Sequence, residues 1–219
     1  MDPTNEPAAS EGQGRADFAY ETILAWIVNG ALKPGTVIQE RSLSDRLSVS
    51  RTPLREALKR LESEGVLTRT GNRYLQVKVI TAKDYSDNFQ LRKLLEAHAI
   101  DLATGHLDPD MLDDLARRTR AQLDSSAEDA EDELRLDTEL HEAIAGATGN
   151  ALLLSFIQTL RRQQHLYDSR RMRARAQESA DEHLRLLAAL KAEDAEAAKA
   201  VMAEHLSNTH SFFFRNLMQ

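Results

Sequence analysis

The chain has 219 residues, of which 42% are hydrophobic and 29% are charged, with 9 Gly, 5 Pro and no Cys. This composition excludes collagen-like, low-complexity and disordered classes, and the lack of Cys excludes disulfide scaffolds, zinc ribbons and thiol chemistry. The formal charge of −7 is uneven, because residues 15–83 carry 12 Lys/Arg and 7 Asp/Glu whereas residues 84–219 carry 16 and 25. A basic first third favours a module that binds a polyanion.

The first fourteen residues, MDPTNEPAASEGQG, contain neither a basic start nor an apolar stretch. They predict a disordered tail over 1–14 and no secretory signal. No apolar run in the sequence approaches the ~18 residues that a membrane span needs. We therefore expect a cytoplasmic protein with no membrane partner.

Residues 15–80 predict a domain of three helices and a hairpin. The first helix covers 17–30, and four apolar residues lie near one face of it: Phe18, Ile23, Ile27 and Val28. A turn, a short second helix, a third helix that Gly65 ends and two extended segments follow in chain order: 32–35, 40–48, 51–65, 66–70 and 74–80. The two extended segments flank a predicted hairpin tip at 71–73.

Two short helices joined by a tight turn, the second rich in Arg, form the sequence pattern of a helix-turn-helix. Leu54, Leu58 and Leu61 would hold the second helix on the core, while Arg51 and Arg55 share its outward side. Arg can contact a guanine edge with two donors. The same spacing also fits an ordinary amphipathic helix with a solvated basic face, so spacing alone leaves both interpretations open.

The segment that carries these helices reads LKPGTVIQERSLSDRLSVSRTPLREALKRLESEGVL. It resembles the winged helix-turn-helix signature of the GntR family of bacterial transcription regulators, with a match over roughly residues 18–80. The resemblance implies operator contacts from five side chains: Arg41, Ser50, Arg51, Thr52 and Arg55. Tyr74 stands where the family usually has Gly, and Gly71 lies three residues earlier, so we expect Gly71 to form a wing tip of different length and minor-groove contact.

Residues 84–219 predict an all-helical domain, and the overall fold class is mostly α. Six helices are expected, separated by short breaks: 84–104, 109–124, 128–147, 150–171, 177–191 and 194–217. Within them, Asp137 and His141 are spaced i, i+4, and His183 and His205 lie on two later helices. Three His and one Asp suit a divalent first-row metal ion such as Zn, Ni or Mn. An Asp–His pair on a helix surface is the alternative, because the chain has seven His.

This domain resembles the FCD effector domain of the FadR subfamily over residues 84–210. The matching positions are Arg92 with Glu96, Asp137 with His141, Glu182 with His183, and His205. The resemblance implies a shorter, six-helix variant of that domain and a metal held by four residues: Asp137, His141, His183 and His205. Water or an effector carboxylate would fill the remaining positions on the metal.

Arg92 is the candidate for the effector contact, because a planar guanidinium binds a carboxylate through two hydrogen bonds. An intrahelical pair with Glu96, also spaced i, i+4, is the alternative. Six further arginines form a basic cluster that could contact DNA or a partner helix: Arg161, Arg162, Arg170, Arg171, Arg173 and Arg175. We interpret this cluster as a solvated surface.

The two resemblances together imply a ligand-responsive transcription repressor that binds a pseudo-palindromic double-stranded DNA operator as a homodimer and senses a small organic acid at a metal site. A metalloenzyme that uses the three His and one Asp is one alternative. It lacks a visible general base and gives the winged helix no role. A structural protein that binds DNA without sequence preference is another, and its salt dependence would identify it.

Overall fold

The computed structural model describes residues 8–71, 73–124, 130–172 and 175–217. The chain divides into two compact units, residues 1–80 and 81–219. The elements of the first unit are α1 Ala8–Val28, α2 Glu40–Leu47, α3 Arg51–Ser63, β1 Leu67–Thr70 and β2 Tyr74–Val77. Those of the second are α4 Ala82–Ala103, α5 Pro109–Asp124, α6 Ala130–Ala147, α7 Ala151–Met172, α8 Ala176–Lys191 and α9 Ala195–Leu217. The predicted fold class is confirmed: a winged helix-turn-helix precedes a helical bundle.

Helix α1 starts earlier than the sequence pattern predicts. It begins at Ala8, so residues 8–14 of the predicted tail are helical, and residues 1–7 of that tail lie outside the described residues. Ala and Glu in this stretch favour helix. The predicted apolar face is also partly wrong, because Phe18 is exposed while Ala19 and Tyr20 are buried. Ala19 and Ile23 are spaced i, i+4 and share the buried side, from which Phe18 is rotated away.

The turn between α2 and α3 is three residues long and fixes how α3 is presented. Ser48 ends α2 in the left-handed region, with φ 53°. Val49 is buried, and its carbonyl accepts a hydrogen bond from Ser44 Oγ at 2.6 Å. Ser50 is extended and occupies the N-cap position of α3, although its side chain makes no capping hydrogen bond. Five residues anchor α3 in the core: Pro53, Leu54, Ala57, Leu58 and Leu61.

Strands β1 and β2 form the predicted hairpin, in antiparallel register from Leu67 opposite Val77 to Thr70 opposite Tyr74. Gly71 follows β1 with a φ of 57°, a conformation that suits Gly. Asn72 of the predicted tip lies outside the described residues. The segment before α2 adds a second, short pairing, because Val37 bridges Gln76 and Ile38 N donates to Leu75 O at 2.8 Å. The sequence pattern did not predict this pairing.

The second unit contains the six predicted helices with ends shifted by at most two residues. Helix α4 begins at Ala82 because Thr81 and Asp84 form a capping box. It packs against α6, α7 and α9, and the packed side chains form the main hydrophobic core. Its inward face therefore buries polar side chains as well, including Asn88, Arg92 and Glu96. None of the helices in the described ranges is long and apolar enough to span a membrane.

Candidate metal centre and nucleic-acid interface

Four side chains predicted as metal ligands come together inside the second unit. Asp137 and His141 project from α6, His183 from α8 and His205 from α9. All four are buried. One potential ligand atom from each residue lies within 4.8 Å of those of the other three. This is a grouping of side chains from three helices, so the surface-pair alternative for Asp137 and His141 does not describe it.

The atoms that converge are one carboxylate oxygen and the Nε2 atoms of the three imidazoles. Asp137 Oδ1 lies 3.6 Å from His141 Nε2, 3.2 Å from His183 Nε2 and 4.0 Å from His205 Nε2. An ion that binds such atoms at about 2.1 Å sets neighbouring ligands roughly 3 Å apart and opposite ones roughly 4 Å apart. The spacing of the four atoms therefore fits one divalent ion.

Two of the imidazoles are oriented by carboxylates on the opposite side of the ring. His141 Nδ1 is hydrogen-bonded to Glu96, and His205 Nδ1 lies 2.8 Å from Glu182 Oε2. An ionised carboxylate only accepts hydrogen bonds, so Nδ1 carries the proton and Nε2 keeps its lone pair. Carboxylate–histidine pairs of this kind orient the ligands of metal sites.

The Nε2 atoms of His141 and His183 are buried, and no hydrogen-bond partner for them occurs among the described residues. The 3.2 Å contact of His183 Nε2 with Asp137 therefore lacks the geometry of a hydrogen bond. Buried polar atoms in native proteins are normally satisfied. A divalent ion would satisfy both imidazoles.

The acids of the centre are ionised and two of its imidazoles are neutral. Burial raises the pKa of Glu96, but the charges of Arg92 and Arg161 and the interaction with His141 together outweigh it and hold that pKa well below its usual value. Asp137 behaves in the same way, with Arg161 as the main opposing charge. Burial lowers the pKa of His141 to about 3 and that of His205 to about 4. Neutral imidazole is the form that binds a metal ion.

The interpretation of the arginine cluster as solvated surface is wrong for two of its members. Arg161 is buried, and its Nη2 atom donates to Asp137 Oδ2 at 2.6 Å. Arg175 is also buried and pairs with Glu182, while its Nη1 donates to Thr209 Oγ1 at 3.2 Å. Each offsets the charge of a buried carboxylate. The side chains of Arg170 and Arg171 lie outside the described part of the chain, as does the whole of Arg173.

Arg92 forms the intrahelical pair that the sequence left as an alternative. Its Nε donates to Glu96 Oε1 at 2.6 Å, and its Nη1 is bonded to Gln164 of α7. The Nη2 atom is buried and has no hydrogen-bond partner within the described ranges. Arg92 thus holds Glu96 in place by a hydrogen bond, and its Nη2 group remains available to donate to a ligand.

The residues that resemble operator contacts lie on the outside of the first unit. Arg41, Ser50, Arg51, Thr52 and Arg55 are all exposed. Arg51 and Thr52 occupy the first turn of α3, whose free N–H groups suit phosphate. Arg55 Nε contacts Glu40 Oε2 at 2.8 Å, with both side chains about half exposed. Such a pair contributes at most about 1 kcal/mol, so a stronger acceptor can replace it.

The hairpin presents further polar groups beside Gly71. Space is open around Gly71, since a Cβ built there meets nothing within 4 Å. Tyr74 and Arg73 are exposed next to it. Arg69 is turned back to α3, where its Nε donates to Glu62 Oε1 at 2.8 Å.

Comparison with known proteins assigns both units. Residues 15–75 match the family of bacterial regulatory proteins called gntR, and residues 87–208 match the FCD domain. The chain is a GntR-family regulator with an FCD domain. It is a DNA-binding transcriptional regulator rather than an enzyme. The metalloenzyme alternative is therefore set aside.

Relatives of this regulator are also named as transcriptional regulators. The Nta operon transcriptional regulator of Aminobacter aminovorans is 37% identical over 128 residues, which cover 58% of this chain and 61% of that protein. The HTH-type regulator YdhC of Bacillus subtilis strain 168 is 28% identical over 194 residues, 86% of each chain. Among solved structures, E. coli McbR/YncC aligns with a TM-score of 0.76 at 24% identity, over 93% of this chain and 98% of that one. That likeness shows a shared fold.

Proposed function

We propose that this GntR-family regulator is a metal-dependent repressor of the FadR subfamily that senses a small organic acid. The observation that carries the proposal is the convergence of four buried ligand atoms from α6, α8 and α9, with carboxylates behind two of the imidazoles. A site of this kind, with four protein ligands, leaves positions open on an ion that takes five or six ligands, including Zn²⁺ when its coordination expands beyond four. An effector carboxylate would bind there.

Zn, Ni or Mn is the expected ion, because three imidazole nitrogens and one carboxylate oxygen suit divalent first-row metals. The bound ion would supply a positive charge that attracts a carboxylate. Arg92 supports the effector role through its buried Nη2 donor, which the described residues leave without a partner. A guanidinium donor beside a metal ion favours an anionic ligand.

The operator is contacted, in this proposal, by α3, by the residue before it, by α2 and by the wing. The side chains involved are Arg41, Ser50, Arg51, Thr52 and Arg55, with the backbone at Gly71. Their exposure and the anchoring of α3 by buried leucines support this assignment. Arg51 and Arg55 read bases, and the others contact phosphate or the minor groove.

We further propose a homodimer on a pseudo-palindromic operator, since one winged helix reads only a few base pairs and two-fold symmetry doubles the readout. Helix α4 supports a dimer contact, because Leu91, Leu94 and Leu102 are 50%, 70% and 40% exposed. Helix α7, which packs against α4, exposes Leu152 and Phe156 as well. These side chains are large and apolar, the type that is enriched in the core of a protein interface.

The effector acts by binding one state of the dimer more tightly than the other. Coupling between an effector and DNA is typically about 1–3 kcal/mol, or roughly 5- to 150-fold in affinity. For a repressor the effector lowers the affinity for the operator. The same coupling makes operator DNA lower the affinity for the effector.

The test measures metal binding and operator binding on the same protein. Chelator-treated full-length protein is titrated with Zn²⁺, Ni²⁺ and Mn²⁺ in a calorimeter, and an operator is selected from random duplex DNA. The affinity of the protein for this operator is then measured by fluorescence anisotropy, with and without the metal ion and with a panel of small organic acids. His183→Ala should abolish tight metal binding, whereas His106→Ala, an exposed histidine in a turn, should not.

Three results would contradict the proposal. Full metal affinity in His183→Ala would show that the four side chains do not bind one ion. An operator affinity that no acid changes in the metal-loaded protein would leave a DNA-binding protein whose second unit does not sense a carboxylate. Selection that yields no preferred sequence would favour the non-specific DNA-binding alternative.

A further inference from the structure

The buried charges of the second unit cancel one another. Six charged side chains are buried among those that the structure describes: Arg92, Arg161, Arg175, Glu96, Asp137 and Glu182. They form three ion pairs, each of one arginine with one carboxylate. The histidines at the centre add no charge in the neutral form that binds a metal ion. Before an ion binds, the buried charge of this described set is therefore zero.

Arg161 changes the amount of negative charge that is available to compensate a bound metal ion. A carboxylate ligand normally removes one of the two positive charges of a divalent ion. Here the charge of Asp137 is already offset, because its other oxygen accepts a hydrogen bond from Arg161 Nη2 at 2.6 Å. A bound divalent ion thus adds two positive charges to this described set of buried side chains, whose own charges cancel. Uncompensated buried charge is strongly unfavourable, so the site requires two negative charges from outside this set.

Two donors are available for those negative charges. Arg92 Nη2 and Arg161 Nε are buried, and neither has a hydrogen-bond partner among the described residues. They belong to α4 and α7, which pack against each other through the Arg92–Gln164 and Asn88–Leu160 hydrogen bonds. Unsatisfied buried guanidinium donors are costly unless a ligand accepts from them. A carboxylate is the acceptor whose shape and charge fit a guanidinium.

We infer that the effector is a small dicarboxylate, with one carboxylate for the metal ion and a second for the buried donors of Arg92 and Arg161. This inference rests on the proposed metal and effector site and narrows its ligand from organic acids in general to dianions. Arg161 becomes a residue that determines specificity, through the charge that it cancels and the donor that it offers. Neither role follows from the sequence, which places Arg161 in a surface cluster.

The experiment compares acids that differ only in charge. Zn²⁺-loaded full-length protein is titrated in a calorimeter with malonate, succinate and glutarate and with the monoamide of each. A monoamide has the size of its parent acid but carries one negative charge. We expect at least one dicarboxylate to bind at least about tenfold more tightly than its monoamide, which is the typical loss for a charged hydrogen bond.

Two conservative variants test the arginines. Arg161→Lys and Arg92→Lys keep the positive charge beside Asp137 and Glu96 but remove the fork of donors. Each should reduce the preference for the dicarboxylate by about tenfold. Arg185→Lys is the matched control, because Arg185 is exposed and pairs only with Glu204 among the contacts that the structure describes. Thermal unfolding verifies that each variant is folded. If a variant does not fold, the comparison of dicarboxylates with monoamides on the wild-type protein still tests the inference.

The outcomes separate the inference from the proposal beneath it. If every monoamide binds as tightly as its parent acid, the dicarboxylate inference is wrong and the organic-acid sensor remains. If Arg161→Lys and Arg185→Lys prefer the dicarboxylate over its monoamide to the same extent, Arg161 does not determine the specificity. If Zn²⁺ itself fails to bind, or no acid of either kind binds the loaded protein, the proposed function and the inference fail together.

Discussion

At the scale of single residues, the four proposed ligands depend on side chains that stand behind them. Glu96 is hydrogen-bonded to His141 Nδ1 and to Arg92, so it couples a histidine to a guanidinium. Glu182 does the same for His205 and Arg175 and also accepts from Asn208 Nδ2 at 2.7 Å. Burial raises the pKa of Glu182, but hydrogen bonds from His205 and Arg175 lower it to about 2. Both acids therefore remain acceptors at neutral pH.

Glu96→Gln should weaken metal binding by about 10- to 100-fold, the usual effect of altering a residue that orients a ligand. The amide can donate to His141 as well as accept, so Nδ1 is no longer fixed as the protonated nitrogen. Competition with a coloured chelator measures the change in Zn²⁺ affinity. Glu204→Gln, at an exposed position paired with Arg185, is the control. Equal Zn²⁺ affinities in the two variants would show that Glu96 does not contribute to metal binding.

Arg51→Ala and Arg55→Ala should each reduce discrimination between the operator and altered sites by about 1–3 kcal/mol, because a base-reading arginine contributes that much. Loss of the exposed Arg55–Glu40 pair costs at most about 1 kcal/mol of stability. Competition between operator and mutated duplexes measures the discrimination. Lys59→Ala, an exposed position later in α3, should weaken all sites equally. Unchanged operator preference in both arginine variants would contradict the assignment.

The sequence indicates the proposed ligand set but not the side chains that stabilise it. Asp137 and His141 are spaced i, i+4, and the resemblance to the FCD domain adds His183 and His205 to the set. Arg161 is not recognisable, since it lies next to Arg162 in a polar stretch that resembles an exposed surface. Its burial depends on Asp137, 24 residues away, and the local pattern contains no trace of that partner.

At the scale of secondary-structure elements, helix ends were predictable where Gly or a capping residue marks them. Gly65 ends α3 with a φ of 72°, and Val66 N then bonds back to Leu61 O at 2.9 Å. The pairing of Val37 with Gln76 was not predictable, because a single bridge depends on a partner distant in sequence. The sequence does not predict the start of α1, because the composition of this stretch near the N-terminus fits a disordered tail as well as a helix.

Gly65→Ala should destabilise the first unit by about 1–2 kcal/mol, because the left-handed conformation is unfavourable for a residue with a Cβ. Gly146→Ala should instead stabilise by about 0.5–1 kcal/mol. Gly146 lies within α6, and a Cβ built there meets nothing within 4 Å. Denaturant unfolding of both variants measures the two signs. A change of the same sign in both would contradict the conformational argument.

At the scale of the whole molecule, the proposed ion would join α6, α8 and α9 through four side chains. Binding to the folded state alone stabilises it by about 2.7 kcal/mol when the free ion is at 100 times its dissociation constant. We therefore expect Zn²⁺ to raise the unfolding temperature and a chelator to lower it.

Calorimetric scans of two histidine variants test this stabilisation. His183→Ala removes a buried ligand and should lose the response to Zn²⁺, whereas His106→Ala, in the exposed turn that follows α4, should keep it. A chelator that leaves the wild-type unfolding temperature unchanged would show that the ion does not stabilise the fold. A full response in His183→Ala would show that the stabilising ion binds elsewhere.

Dimer formation and operator affinity should fail together when the exposed face of α4 acquires a charge. Leu94 is 70% exposed and shares one side of α4 with Leu91 and Leu102. Leu94→Glu should cost the isolated chain little stability, since the site is solvated. In a dimer it would bury a carboxylate without a partner, which is unfavourable by several kcal/mol.

Sedimentation at micromolar concentration should accordingly show a dimer for the wild type and a monomer for Leu94→Glu. The monomer should bind a half-site as the wild type does but lose the added affinity of the full operator, because only a dimer reads both halves. Ala121→Glu is the matched control, as it adds the same charge at an exposed position of α5. The described part of α5 exposes no large apolar side chain. A Leu94→Glu dimer would exclude this face as the contact, and a wild-type monomer that binds the full operator no better than a half-site would overturn the homodimer itself.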